Sequence, residues 1–220
     1  MRILLLGGAL LISFLGVVQE AFAKPPSAYE GRRLYVSYCQ LCHGSDGSGD
    51  GPLAKTMKIN PIDLKKSIRA RSDTILKKII SGRGRQTITG RDRHNLISDA
   101  MPEWKDVFSD EQIDELIAYL RFLGSSKHRL MGNPETGYQL YQKYCQVCHG
   151  EEGGGDGIMT TLMGIEPMDH SNPNETNSIS NDILIASILE GRGRYMPAWE
   201  GILTRGEIEA LVSYIRLLSH

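Results

Sequence analysis

Apolar residues along this 220-residue chain fall at helical spacing, and they do so in two matching rounds. Leu34, Tyr35 and Tyr38 lead into Cys39, and Leu140, Tyr141 and Tyr144 lead into Cys145 in the same register. Intervals of three and four residues mark the core-facing stripe of an amphipathic helix. A second matched pair, Asp73–Arg85 and Asp182–Arg194, reads as a helix opened by an Asp cap and closed by glycine. The third pair ends each round. Ser109 with Gln112, and Thr204 with Glu207, form capping-box patterns. Behind them Ile113, Leu116 and Tyr119 match Ile208, Leu211 and Tyr214 on a buried face.

The N-terminus follows another pattern. Arg2 precedes an almost wholly apolar run from Ile3 to Val18, and Ala21-Phe22-Ala23 offers a small-residue cleavage site before Lys24. The run is shorter than the roughly 20 residues of a membrane-spanning helix. Residues 1–23 are therefore expected to be a cleaved export signal; an uncleaved anchor is the alternative. No membrane span is expected in the mature chain, which is expected in the periplasm. The rest divides into a first domain (24–124), a polar, glycine-containing linker (125–134) and a second domain (135–220). The repeats differ in one place. A single residue, Tyr195, separates Gly-Arg-Gly-Arg from Met196, whereas Gln86–Ala100 separates it from Met101. About fourteen residues are inserted there, including Arg91, Arg93 and His94, which marks them as a candidate docking element.

Charge breaks the symmetry further. Lys24–Arg129 holds 19 Lys and Arg against 13 Asp and Glu (net +6), whereas Met131–His220 holds 5 against 12 (net −7). The total of −1 hides a bipolar molecule, and such fields steer oriented encounters between proteins.

The candidate chemistry lies in the four cysteines, all within Cys39-Gln-Leu-Cys42-His43-Gly and Cys145-Gln-Val-Cys148-His149-Gly. Two thiols at i and i+3 with a histidine next to the second suit covalent haem attachment, as thioethers to the vinyl groups and an imidazole toward the iron. Zinc ribbons keep their cysteine pairs about 15–20 residues apart, and these pairs lie much farther from each other. Thiol exchange is the remaining alternative. Gly44–Gly51 and Gly150–Gly157 are glycine-rich loops without the G-K-[ST] of a phosphate loop. Asp46, Ser48 and Asp50 brush against a calcium-loop pattern that lacks its closing glutamate. Both loops read as close backbone passage around a haem. Domains of about 100 residues bury limited surface, and a flat apolar cofactor would complete each core.

The helix into C-x-x-C-H, the downstream Met-Pro-x-Trp (Met101–Trp104, Met196–Trp199) and the closing helix resemble the class I cytochromes c. The doubled layout resembles diheme, cytochrome c4-like carriers, and each half is also similar to the cytochrome domains of cbb-type oxidase subunits. The resemblance covers nearly all of the mature chain twice. It implies an all-α fold of two tandem cytochrome c domains, with two covalently attached haem c groups. It also implies His43 and Met101 on one iron and His149 and Met196 on the other, Cys39, Cys42, Cys145 and Cys148 holding the porphyrins. A soft thioether stabilises the reduced state, and a following proline stiffens each methionine loop. The rival ligands are Met57 and Met163, also at equivalent positions, and His94 within the insertion. Arg83 and Arg192 are candidates for pairing with propionates. His128, His170 and His220 have no counterpart in the other half and are expected on the solvated surface.

With both axial positions filled no substrate reaches iron, which points to a carrier of single electrons rather than an enzyme. The expected partners are proteins: an upstream dehydrogenase or quinol-oxidising complex and a downstream oxidase or reductase, with no nucleic acid. The alternatives are a dedicated subunit of one periplasmic complex, or a diheme peroxidase or sulfur-compound oxidoreductase with a labile ligand in the first domain.

Overall fold

The computed structural model describes residues 24–82 and 100–220. The expected export segment, Arg83, the insertion up to Asp99 and His94 within it lie outside the described residues. Among the described residues the chain forms helices and no strand. α1 (Ala28–Leu34) is capped by Ser27 and passes through a π-helical turn, Tyr35–Cys39, into α2 (Gln40–His43). α3 (Pro52–Met57), α4 (Leu64–Arg69) and α5 (Asp73–Ser81) lead to the closing helix α6 (Asp110–Ser125). The second half repeats the order: α7 (Pro134–Tyr144), α8 (Gln146–His149), α9 (Ile158–Met163), α10 (Pro173–Ser178), α11 (Asn181–Glu190) and α12 (Arg205–Leu218).

Both capping boxes form: Ser109 and Thr204 accept from the backbone three residues on, and Gln112 and Glu207 reach back. The starts of α5 and α11 differ from expectation. Ser72 and Ser180 are the caps, and Asp73 and Asp182 lie inside the first turn. There a carboxylate still complements the positive end of the helix, and Asp73 also accepts from Arg121 Nε at 2.9 Å.

In each half the first helix crosses the last at a glycine. A Cβ on Gly31 would overlap the Glu115 carbonyl, and one on Gly137 the Ala210 carbonyl. Backbone thus meets backbone, and the tyrosines behind the crossing are sealed in. Tyr35 and Tyr141 are fully buried, their rings 5.1 and 5.2 Å from Tyr119 and Tyr214. Arg121 and Arg216, at matching positions of α6 and α12, clamp the ends of α4 and α10. Arg121 donates to the Ile68 and Arg71 carbonyls (2.7 and 2.6 Å), and Arg216 to those of Ile179 (2.6 Å) and Thr176. Helix ends leave carbonyls unpaired, and a guanidinium with five donors can take several at once.

The two halves meet through matching positions. Tyr29 donates to Glu135 at 2.7 Å, and His220 Nε2 lies 2.8 Å from Ser125 Oγ. In the alignment that superposes Gly31 on Gly137 and Ile113 on Ile208, Tyr29 pairs with Glu135 and Ser125 with His220. Equivalent residues touching each other is the mark of an isologous, pseudo-two-fold contact. Tyr29 stacks on Tyr138 (5.0 Å, 20°) and meets Tyr214 edge-on at 5.3 Å. Between α6 and α7 the chain is tied to the second half: Met131 and Gly132 donate to Ser213 Oγ at 2.8 and 2.9 Å, and Asn181 donates to the Arg129 carbonyl at 3.0 Å.

Candidate functional site

In the second half, α7 and the single turn of α8 carry Cys145, Cys148 and His149 to the wall of a cavity of about 580 Å³. That lies within the ~300–1,000 Å³ range of sites that take a cofactor-sized ligand. Met196 lines the same cavity, with Trp199 and Met168. The two thiols and the imidazole expected from their spacing, and the methionine that the resemblance implied, therefore converge on one space.

Each is held by identifiable bonds. Tyr141 donates to the carbonyl of Gly150, the residue after His149, at 3.1 Å; Tyr35 makes the same bond to Gly44 at 2.6 Å. These tyrosines are more than core filling, because they anchor the backbone immediately behind the histidine. His149 Nδ1 faces the Met168 carbonyl at 3.4 Å. An N–H at Nδ1 leaves Nε2 with its lone pair, which is what a metal-binding imidazole requires. Burial lowers the pKa of His149, with the Met168 carbonyl acting the other way. His43 is shifted in the same direction by burial, opposed by the Ile62 carbonyl, and its Nδ1 lacks a full hydrogen bond.

Met196 is fixed through its backbone, which exchanges hydrogen bonds with Arg192 at 3.1 and 3.2 Å. Trp199 holds the next turn by donating to the Ile188 and Leu189 carbonyls and packing on Tyr144 at 4.8 Å. The first half repeats this anchor: Trp104 donates to the Ile80 carbonyl at 3.2 Å and meets Tyr38 at 5.7 Å. Met101 is partly buried three residues ahead of it. The rival pair is more open, with Met57 52% and Met163 39% exposed, and Met163 is not in the cavity wall. Arg192 does line the cavity, with its guanidinium on Ser187 Oγ at 2.8 Å.

The cysteines are free thiols. Burial, reinforced by the neighbouring cysteine, pushes Cys39 and Cys145 up to about 12. Thiol-exchange sites depend on the opposite shift, toward thiolate. No His, Cys, Asp and Glu cluster of metal-binding size occurs among the described residues. Asp46 and Asp50 instead share Ser48 (2.6 and 3.0 Å). The glycine loops meet a further demand beside the expected passage around a haem. Cβ atoms on Gly49 and Gly155 would press on the Pro61 and Pro167 carbonyls, and those on Gly44 and Gly150 on Asp50 and Asp156. The close approach is to the protein's own chain.

Of the three unmatched histidines, His170 departs from the expected solvated position, while His128 and His220 are partly exposed. His170 is 6% exposed, and its ring lies parallel to that of His149 with centroids 4.4 Å apart and planes at 11°. His220 packs edge-on against Phe122 at 5.3 Å, and His128 Nε2 lies 3.2 Å from the Asn177 carbonyl. Sequence marked none of these positions, because a histidine without a repeat partner carries no burial signal.

Two thiols, an imidazole with a free Nε2 and a thioether around one apolar-walled cavity fit a covalently attached haem. The family described as cytochrome c oxidase, cbb3-type, subunit III matches residues 26–120 and 132–215. The cbb3-type oxidase subunit FixP of Bradyrhizobium diazoefficiens is 27% identical over 198 residues, 86% of this chain and 60% of its own length. CcoP of an Azospirillum species is 25% identical over 196 residues, 86% of this chain and 61% of its own. The chain thus spans about three-fifths of the length of the curated relatives it matches. A solved c-type cytochrome, KustC0563, is 28% identical over 36% of this chain and 93% of its own, with a TM-score of 0.33.

Proposed function

Because the chain belongs to the cytochrome family of cbb3-type oxidase subunit III, as an all-α tandem with two covalently attached haem c groups, we propose that it carries single electrons between respiratory redox proteins. The observation that carries this reading is the convergence of Cys145, Cys148, His149 and Met196 on one cavity. Haem with both axial positions filled exchanges one electron and binds no substrate at iron. On this reading Cys39 and Cys42, and Cys145 and Cys148, hold the two porphyrins. His43 and Met101 would ligate one iron, and His149 and Met196 the other. The Met168 carbonyl orients His149, and the Arg192–Met196 backbone pairing holds the thioether in place. Domain 1 spans 24–124 and domain 2 135–220. Export through residues 1–23 brings the protein to the periplasm, and N-terminal sequencing of the purified protein distinguishes a cleaved signal from a retained anchor. Among the described residues no helix is long and apolar enough to cross a membrane.

A carbon monoxide difference spectrum of the fully reduced holoprotein, normalised per haem, tests the ligand set. No binding is expected at either centre. Binding at about half the haem would reveal an open iron and revive the enzyme reading, with Met101 the first residue to examine.

The relatives' names support a second version, a dedicated subunit of one oxidase complex that receives electrons from an upstream carrier. Gln86–Ala100 would then be its docking element. Deleting it is expected to weaken binding to one partner with both haems retained; unchanged affinity for every partner would remove this version.

A further inference from the structure

We propose that His170 is a positioning residue for His149, and that through it the second haem centre is made different from the first. The inference rests on the reading of His149 as an axial ligand.

The two halves contain an internal comparison. Leu64 donates its N–H to the Gly47 carbonyl at 2.7 Å, and His170 donates to the Gly153 carbonyl at 2.6 Å. The backbone site is the same, and the side chain differs. In the second half that side chain is an imidazole lying face to face with the ligand imidazole, within the range of offset-stacked rings. It is locked from behind: a Cβ on Gly153 would stand 2.9 Å from the His170 Cβ, and the Tyr141 ring lies 6.2 Å away. His170 Nδ1 is buried without a hydrogen bond. An unpaired buried polar atom is destabilising. Leucine fills the equivalent place without that penalty, so packing alone does not explain a histidine.

What the histidine adds is a second restraint and a polar face. A hydrogen bond from Nδ1 sets where His149 points but leaves its plane free to rock, and a parallel ring removes that freedom. Among the described residues, His43 has neither a full bond at Nδ1 nor a ring stacked on it. A polar, polarisable ring against the donor imidazole also favours the more positive, oxidised state of the centre, as polar surroundings favour charge generally. Leucine does not. The second centre is therefore held at a lower potential than it would have with leucine, and its ligand plane is better defined.

The test uses His170→Leu, His170→Phe and Leu64→His in the intact diheme protein, read by potentiometry and by the proton NMR haem-methyl shifts of the oxidised form. His170→Leu is expected to move the reduction equilibrium of the second centre toward the reduced form by about threefold or more, roughly 28 mV at 59 mV per tenfold for one electron. It is expected to alter the methyl pattern of that centre alone. His170→Phe restores the plane, hence the pattern, without restoring the potential. Leu64→His shifts the first centre the opposite way and decides the question even if His170→Leu fails to take up haem. Unchanged potentials and methyl patterns in the folded, fully loaded variants would overturn the proposal. A wild-type second centre without a histidine–methionine spectral signature would instead overturn the ligand reading, and the two failures are separable.

Discussion

Met196 is held by backbone pairing with Arg192 and by the Trp199 anchor. Met196→Ala should therefore leave its loop in place and open one iron. Carbon monoxide is expected to bind about half the haem, and one of the two potentials to fall while the other stays. Asp46 tests a different kind of contact. Hydrogen bonds from Lys65 first, then Ser48, hold its carboxyl down at about 2. A carboxylate below its unfolded value of about 3.9 contributes stability above that pH and loses it as the pH falls toward the folded value. Asp46→Asn is thus expected to be less stable than wild type at pH 6, with the gap closing between about pH 4 and pH 2 in urea titrations. At this scale the cysteines, His43 and His149 were legible from their contiguous spacing, and so were Met101 and Met196 as candidates, because a proline and tryptophan follow each in the same frame. His170, Arg121 and Arg216 were not, since nothing local marks a polar side chain for burial.

The helix crossings carry the strongest mechanical demand among the elements. At Gly137 the α12 backbone occupies the place of a Cβ, so Gly137→Ala must separate α7 from α12 and disturb the approach to Cys145. A loss of about 2–3 kcal/mol is expected, the upper range for overpacking, measured as a lower denaturation midpoint with reduced haem content. Gly31→Ala should do the same to α1 and α6. The long amphipathic elements, α6, α7 and α12, were readable because each offers two or more turns of periodic apolar positions. The six-residue helices α3, α4, α9 and α10 were not, being too short to show a period. The caps shifted from Asp73 to Ser72 in α5 and from Asp182 to Ser180 in α11, because both residue types suit the site and only the backbone path selects between them.

Across the whole molecule, the opposite charges of the halves act inward as well as outward. Lys24 bridges Glu151 and Glu152 (3.5 and 3.1 Å), and Arg33 lies 3.9 Å from Glu135. All are exposed pairs worth about 0–1 kcal/mol each, so they orient the halves more than they bind them. Tyr29 binds them: it is 5% exposed and touches Tyr138, Tyr214 and Glu135. Tyr29→Ala is expected to uncouple the halves, turning one calorimetric transition into two while both haem spectra persist; a single unshifted transition would show the contact to be idle. The duplication and the charge asymmetry were legible because they need only the order of residues, and the covalent attachment chemistry and the principal helices because each is written in residues close together along the chain. It took the folded chain to bring Met196 into the cavity with His149 while leaving Met163 out of its wall, to lay His170 against that histidine, and to set Tyr29 on Glu135 across a pseudo-two-fold contact. Those depend on side chains from distant segments excluding water together, and no local pattern encodes that convergence.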